Sequence, residues 1–136
     1  MKKISFILII FTALSFAKFY TPNIIGKWKG QDKREIGFLS FDEKGYAEME
    51  MAGQKMGGEN FMVKGRKCSL KYKLTTSVKP NQLDIIMTDL NTKETRKMLC
   101  IINFVDDTSL DIASNFSDKR PQAFTKSNSI RLIKEN

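Results

Sequence analysis

Two cysteines, an adjacent aspartate pair and a cluster of methionines are the side chains whose types and spacing bear on chemistry, and no histidine accompanies them. Without histidine the chain lacks the commonest general base and the commonest zinc ligand. No serine or cysteine nucleophile has a histidine to activate it. Asp106 and Asp107 stand in "DDT", where aspartate serves a turn through its own backbone hydrogen bonds. Two adjacent carboxylates also fall short of the six or so oxygens calcium takes. The glycines of "AGQKMGG" follow no phosphate-loop pattern and open no helix. Met49, Met51, Met56 and Met62 lie close together, and thioethers suit Cu(I). Met49 and Met51 nevertheless alternate with glutamates, as interior positions of a strand do, and methionine fills irregular cavities. The expectation is therefore a protein with no catalytic residue, no metal and no cofactor.

The first 17 residues, "MKKISFILIIFTALSFA", read as an export leader. Lys2 and Lys3 precede an apolar run over residues 4–16. Ser15 and Ala17 are small residues where a signal peptidase reads. The run is shorter than the roughly 20 apolar residues a membrane span needs. Cleavage after Ala17 leaves one domain over residues 18–136, secreted or periplasmic in a bacterium. The leader takes two lysines with it, lowering a net charge of +8 by two. The remaining bases are scattered, so they read as a solvated surface or as attraction to an anionic envelope. Export argues against nucleic acid as a partner, and a monomer is expected.

Beyond the leader the dominant period is two. Ala47, Met49 and Met51 share one face of "YAEMEM". Cys68, Leu70, Tyr72 and Leu74 alternate against lysines and serine in "KCSLKYKL". "QLDIIMT" sets Leu83, Ile85 and Met87 together, and "KMLCIINF" sets Met98, Cys100, Ile102 and Phe104 together, although Leu99 and Ile101 make its other face apolar too. Turn signals at 42–45, 52–58, 64–66, 77–81, 90–94 and 106–108 separate about nine strands. The strands are expected at 24–30, 34–41, 46–51, 59–64, 67–75, 82–88, 96–105, 109–114 and 129–134. A meander with one apolar face per strand buries it most simply by closing on itself. The fold class is all-β, an antiparallel up-and-down barrel of about eight or nine strands.

Three stretches then acquire a common meaning: "IIGKWKG" at the start, "YKLTTSVKPNQLDI" in the middle, and "DDTSLDIASNFSDKRPQAF" before a last strand "SIRLIK". The chain resembles the lipocalin and calycin group, and more closely a set of small exported bacterial lipocalin-like domains. In that set a Pro-x-x-(Ile/Leu)-Asp run opens a central strand, here Pro80, Leu83 and Asp84. An Arg-Pro-x-x-Phe run precedes the final strand, here Arg120, Pro121 and Phe124. The resemblance implies that Gly26 and Trp28 close one end of the barrel, with a late arginine over the indole. A guanidinium on that ring, from Arg120 or Arg131, is worth about 0.5–2 kcal/mol. Arg120 is preferred because Pro121 fixes the chain beside it.

Cys68 and Cys100 share the parity of the apolar face, with strand 82–88 between theirs. Two strand spacings put their Cα atoms about 10 Å apart, beyond the usual disulfide span. A bond through a narrow interior and a pair of free thiols both stay open. The expected function is non-enzymatic binding of a small apolar or amphipathic ligand inside the barrel. The expected lining residues are Phe38, Met49, Met51, Phe61, Leu70, Tyr72, Ile85, Met87, Met98 and Ile102. The alternative is a barrel filled by its own side chains that acts through its surface.

Overall fold

The computed structural model describes residues 23–30, 37–115 and 117–136. The leader expected over residues 1–17 and the start of the strand expected at 34–41 lie outside the described residues. Ten antiparallel strands form a single sheet: β1 (Gly26–Gly30), β2 (Gly37–Phe41), β3 (Ala47–Met51), β4 (Gln54–Gly57), β5 (Phe61–Val63), β6 (Arg66–Thr75), β7 (Asn81–Asp89), β8 (Thr95–Phe104), β9 (Ser109–Ser114) and β10 (Ser129–Lys134). Their spatial order is β4-β3-β2-β1-β10-β9-β8-β7-β6-β5, and no helix occurs among the described residues. The sheet curls into a nearly closed up-and-down barrel.

Two contacts make it close. The first and last strands pair, with Trp28 opposite Lys134 and Gly30 opposite Leu132. On the far side, β3 meets β6 through glycines. The Gly58 amide donates to the Ala47 carbonyl at 2.8 Å, and the Leu70 amide donates to the Gly58 carbonyl at 2.9 Å. The Tyr72 amide donates to the Gly45 carbonyl at 3.0 Å, and Tyr46 bridges Lys71. Gly57 is required here, since its φ is +130° and a Cβ would lie 2.4 Å from the Ala47 oxygen.

The tenth strand, β4, lies inside the stretch expected to be a turn. Met51 pairs with Gln54 across a two-residue loop of Ala52 and Gly53, with φ of 51° and 77°. Two left-handed residues make the hairpin turn whose twist matches its strands. The turn is thus shorter than its polar, glycine-rich composition suggests. Lys64 and Gly65, with φ of 48° and 77°, turn β5 into β6 in the same way. Elsewhere Asp106 serves its turn as expected, and Asp89 does the same at the end of β7. The Asp89 carboxylate accepts from the amides of Asn91 and Thr92, and that of Asp106 from the Thr108 amide. These backbone N–H groups hold both carboxyls below their ordinary range.

Alternation turns Trp28, Phe41, Ala47, Leu70, Leu83, Ile85, Cys100, Ile102, Leu110 and Leu132 into one buried cluster. Trp28 is fully buried, and its Nε1–H donates to the Ile24 carbonyl at 2.8 Å. Ile101 and Ala113 are also buried, yet they pair with each other on the outward face. They need a cover on that side, and the chain after β9 supplies it. Pro121 in that segment is buried, and Arg120 ties the segment to β7 and β8.

Candidate functional site

The barrel interior is divided by side-chain size. At the level of Trp28 and the strand ends around Phe41, Ala47 and Leu110, large side chains fill it. Toward the opposite strand ends the inward positions are Gly30 on β1, Gly37 on β2 and Ser114 on β9, and these leave space. The result is a cavity of about 570 Å³. Leu39, Met49 and Met51 form one wall, and Met98, Cys100 and Ile112 form the other. Ile130 and Leu132 of β10 complete it beside Gly30. Met51 and Ile130 are 57% and 40% exposed, which marks this end as the mouth.

Among the described residues the polar rim of the mouth is formed by residues 126–129. This turn is built from its own side chains. Asn128 Oδ1 accepts from the Thr125 amide at 2.8 Å, and its Nδ2 donates to the Ala123 carbonyl at 3.0 Å. Ser129 Oγ donates to the Thr125 carbonyl. The Asn128 carbonyl accepts from the Ser114 amide at 2.9 Å, fastening the turn to the end of β9.

The residues expected to line a ligand site separate into two groups. Met49, Met51 and Met98 line the cavity. Leu70, Ile85 and Ile102 are buried in the packed part, with Phe61, Tyr72 and Met87 against them. The Tyr72 ring meets Phe41 edge-on at 4.8 Å, and its hydroxyl donates to the Asp42 carbonyl at 2.7 Å. Burial and the Asp42 charge push the Tyr72 phenol up.

Phe38 stands differently from its expected inward position. It pairs with Lys29 and Glu50 on the outward face, where Lys27 Nζ lies 4.2 Å from the ring centroid. Despite that parity, Phe38 lines the cavity as expected, together with Met49, Met51 and Met98. In "GFLSF" the inward parity belongs to Gly37, Leu39 and Phe41, because Leu39 pairs with Trp28. The sequence signal missed was small residues: Gly30, Gly37 and Ser114 make the space, and a search for large inward side chains passes over them.

The arginine expected on the indole is elsewhere. Arg120 Nη2 donates to Asp84 Oδ1 at 2.6 Å, and Nη1 to the Cys100 carbonyl at 2.7 Å. Asp84 has the outward parity of β7 and the second partner is a β8 backbone carbonyl, so Arg120 and Pro121 hold the segment before β10 rather than the closed end. Arg131 makes a two-bond pair with Asp111, its partner across the β9–β10 register. The cation at the indole is Lys134, with Nζ 5.5 Å from the ring centroid. Gly26 admits it, since a Cβ there would lie 2.9 Å from Lys134 Cε.

Cys68 and Cys100 are free, buried thiols. Both keep the inward parity, but Cys68 pairs with Asp89 and Cys100 with Leu83, at opposite stretches of β7. That offset separates them by about 20 Å along the strand direction, so a Cys68–Cys100 disulfide does not form in this fold. Burial pushes the Cys100 thiol up to about 11, so it stays protonated near neutral pH and is a poor nucleophile. Among the described residues no three His, Cys, Asp or Glu side chains gather as metal ligands. The chemistry this arrangement supports is reversible desolvation of an apolar group. Comparison with known protein families, with curated proteins and with solved structures finds no match.

Proposed function

We propose that the chain is an exported, non-enzymatic binding protein, a lipocalin-like barrel holding one small apolar or amphipathic molecule. The observation that carries this reading is the apolar cavity of about 570 Å³ at one barrel end. Small-molecule sites usually occupy about 300–1,000 Å³ and are mostly apolar with a few polar groups at fixed places. Burying a ligand tail there yields about 25 cal/mol per Å² of apolar surface before ordering costs. The lack of histidine and the neutral Cys100 thiol support binding over catalysis. Export rests on the first 17 residues and implies a secreted or periplasmic location. The basic surface suits an anionic cell envelope.

Native mass spectrometry of protein purified gently from its own host tests the reading. The expected result is a population carrying a small copurifying molecule, and a uniform apo mass opposes it. The filled half of the barrel favours a second reading, an envelope-associated protein that acts through its surface. Ile112→Trp separates the two by filling the cup. On the first reading an apolar fluorescent probe binds the parent and is lost from this variant, provided circular dichroism shows the fold retained. On the second, the probe binds neither.

A further inference from the structure

The rim of the cup differs from its walls in one respect that selects among ligands. Lys126 is the single charged side chain among the described residues lining the cavity. It takes part in none of the ion pairs among the described residues. Its neighbours in the turn are committed: both ends of the Asn128 amide are used, Ser129 donates to the Thr125 carbonyl, and Ser127 Oγ shares a hydrogen bond with Thr125 Oγ1 at 3.1 Å. The turn is therefore tied by its own side chains and carries Lys126 at the edge of an apolar mouth.

We infer that the cup takes a single-chain amphiphile with an anionic headgroup, its tail on the Met49, Met98 and Ile112 walls and its carboxylate or phosphate at Lys126. The inference rests on the binding reading above and narrows it. A molecule that buries its tail must bring its head to this rim, because the other end is closed by packed side chains. An anionic head gains a charge-assisted hydrogen bond from the ammonium. A neutral head gains less, since it forms no charge-assisted bond with the ammonium. A cationic head meets like charge at short range, and the positive net charge that remains without the leader works against its approach.

Calorimetric titration with decanoate, decanol and decyltrimethylammonium, each below its micelle concentration, tests this on the full mature chain. Lys126 is exposed, so Lys126→Gln and Lys126→Glu leave the fold intact, as circular dichroism and the thermal midpoint will register. Decanoate affinity should fall about threefold to fivefold in Lys126→Gln and about tenfold in Lys126→Glu. Decyltrimethylammonium should gain in Lys126→Glu, and decanol should stay unchanged in both. The decanoate preference should also shrink as salt rises. If all three probes bind and neither variant changes their order, the headgroup inference is overturned while the binding reading stands. If none binds the parent chain, the binding reading itself is overturned.

Discussion

Trp28 is the only tryptophan, is fully buried, and spends its N–H on the Ile24 carbonyl. Its emission should therefore be blue-shifted and shielded from acrylamide until the whole barrel unfolds. Trp28→Ala should cost about 3–5 kcal/mol, read from urea midpoints, because it opens a cavity the strands cannot collapse into. A second residue-scale prediction concerns Cys100. Its folded thiol titrates at about 11, above the ordinary 9.0, mainly because burial disfavours the thiolate. Between those values the unfolded chain releases the proton while the folded chain keeps it, so stability falls as pH rises through that window. Near pH 10 the loss should be about 1 kcal/mol. Denaturation at pH 8 and pH 10 should show a smaller drop for Cys100→Ala than for the parent. A slope unchanged by the substitution would contradict the assignment.

Among the elements, the segment between β9 and β10 does two things at once. Its Arg120 joins Asp84 on β7 to the Cys100 carbonyl on β8, and its far end forms the 126–129 rim. The Arg120 and Asp84 side chains are each 21% exposed, so this pair is less screened than a surface ion pair. Removing one partner leaves the other charge partly buried. Arg120→Gln and Asp84→Asn should each destabilise by about 1–3 kcal/mol. Because they remove the same interaction, a double-mutant cycle in urea should return a coupling of about 1 kcal/mol. The two motifs quoted from the sequence, "KPNQLD" and "KRPQAF", thus meet in space at one ion pair, which their separation along the chain does not disclose.

For the whole molecule, closure depends on a seam narrower than a strand pair, where Gly57 and Gly58 pass over Ala47 and reach Leu70. Any Cβ at Gly57 pushes backbone against backbone and also carries an unfavourable φ. Gly57→Ala should therefore cost about 2 kcal/mol or more. Gly65 also has positive φ, but no atom lies within 4 Å of its added Cβ. Gly65→Ala should cost only about 1 kcal/mol. Equal midpoints for these two variants in thermal unfolding would mean that the seam does not hold the barrel shut.

Local sequence was sufficient for nine of the ten strands, most of their turns and the inward parity of β3 and β6 to β9, because alternation and turn chemistry act over a few residues. It also showed through Leu99 and Ile101 that both faces of β8 are apolar, but not what covers the outer one. Tertiary structure alone decided four matters. Pairing with Trp28 chose Leu39 over Phe38 as the inward residue of β2. Register along β7 separated the cysteines. Asp84 claimed Arg120 and left the indole to Lys134. Closure of the sheet made a cup out of Gly30, Gly37 and Ser114. Each depends on which distant strands become neighbours and at what offset, and that is set by the energy of the closed barrel as a whole rather than by any one stretch of chain.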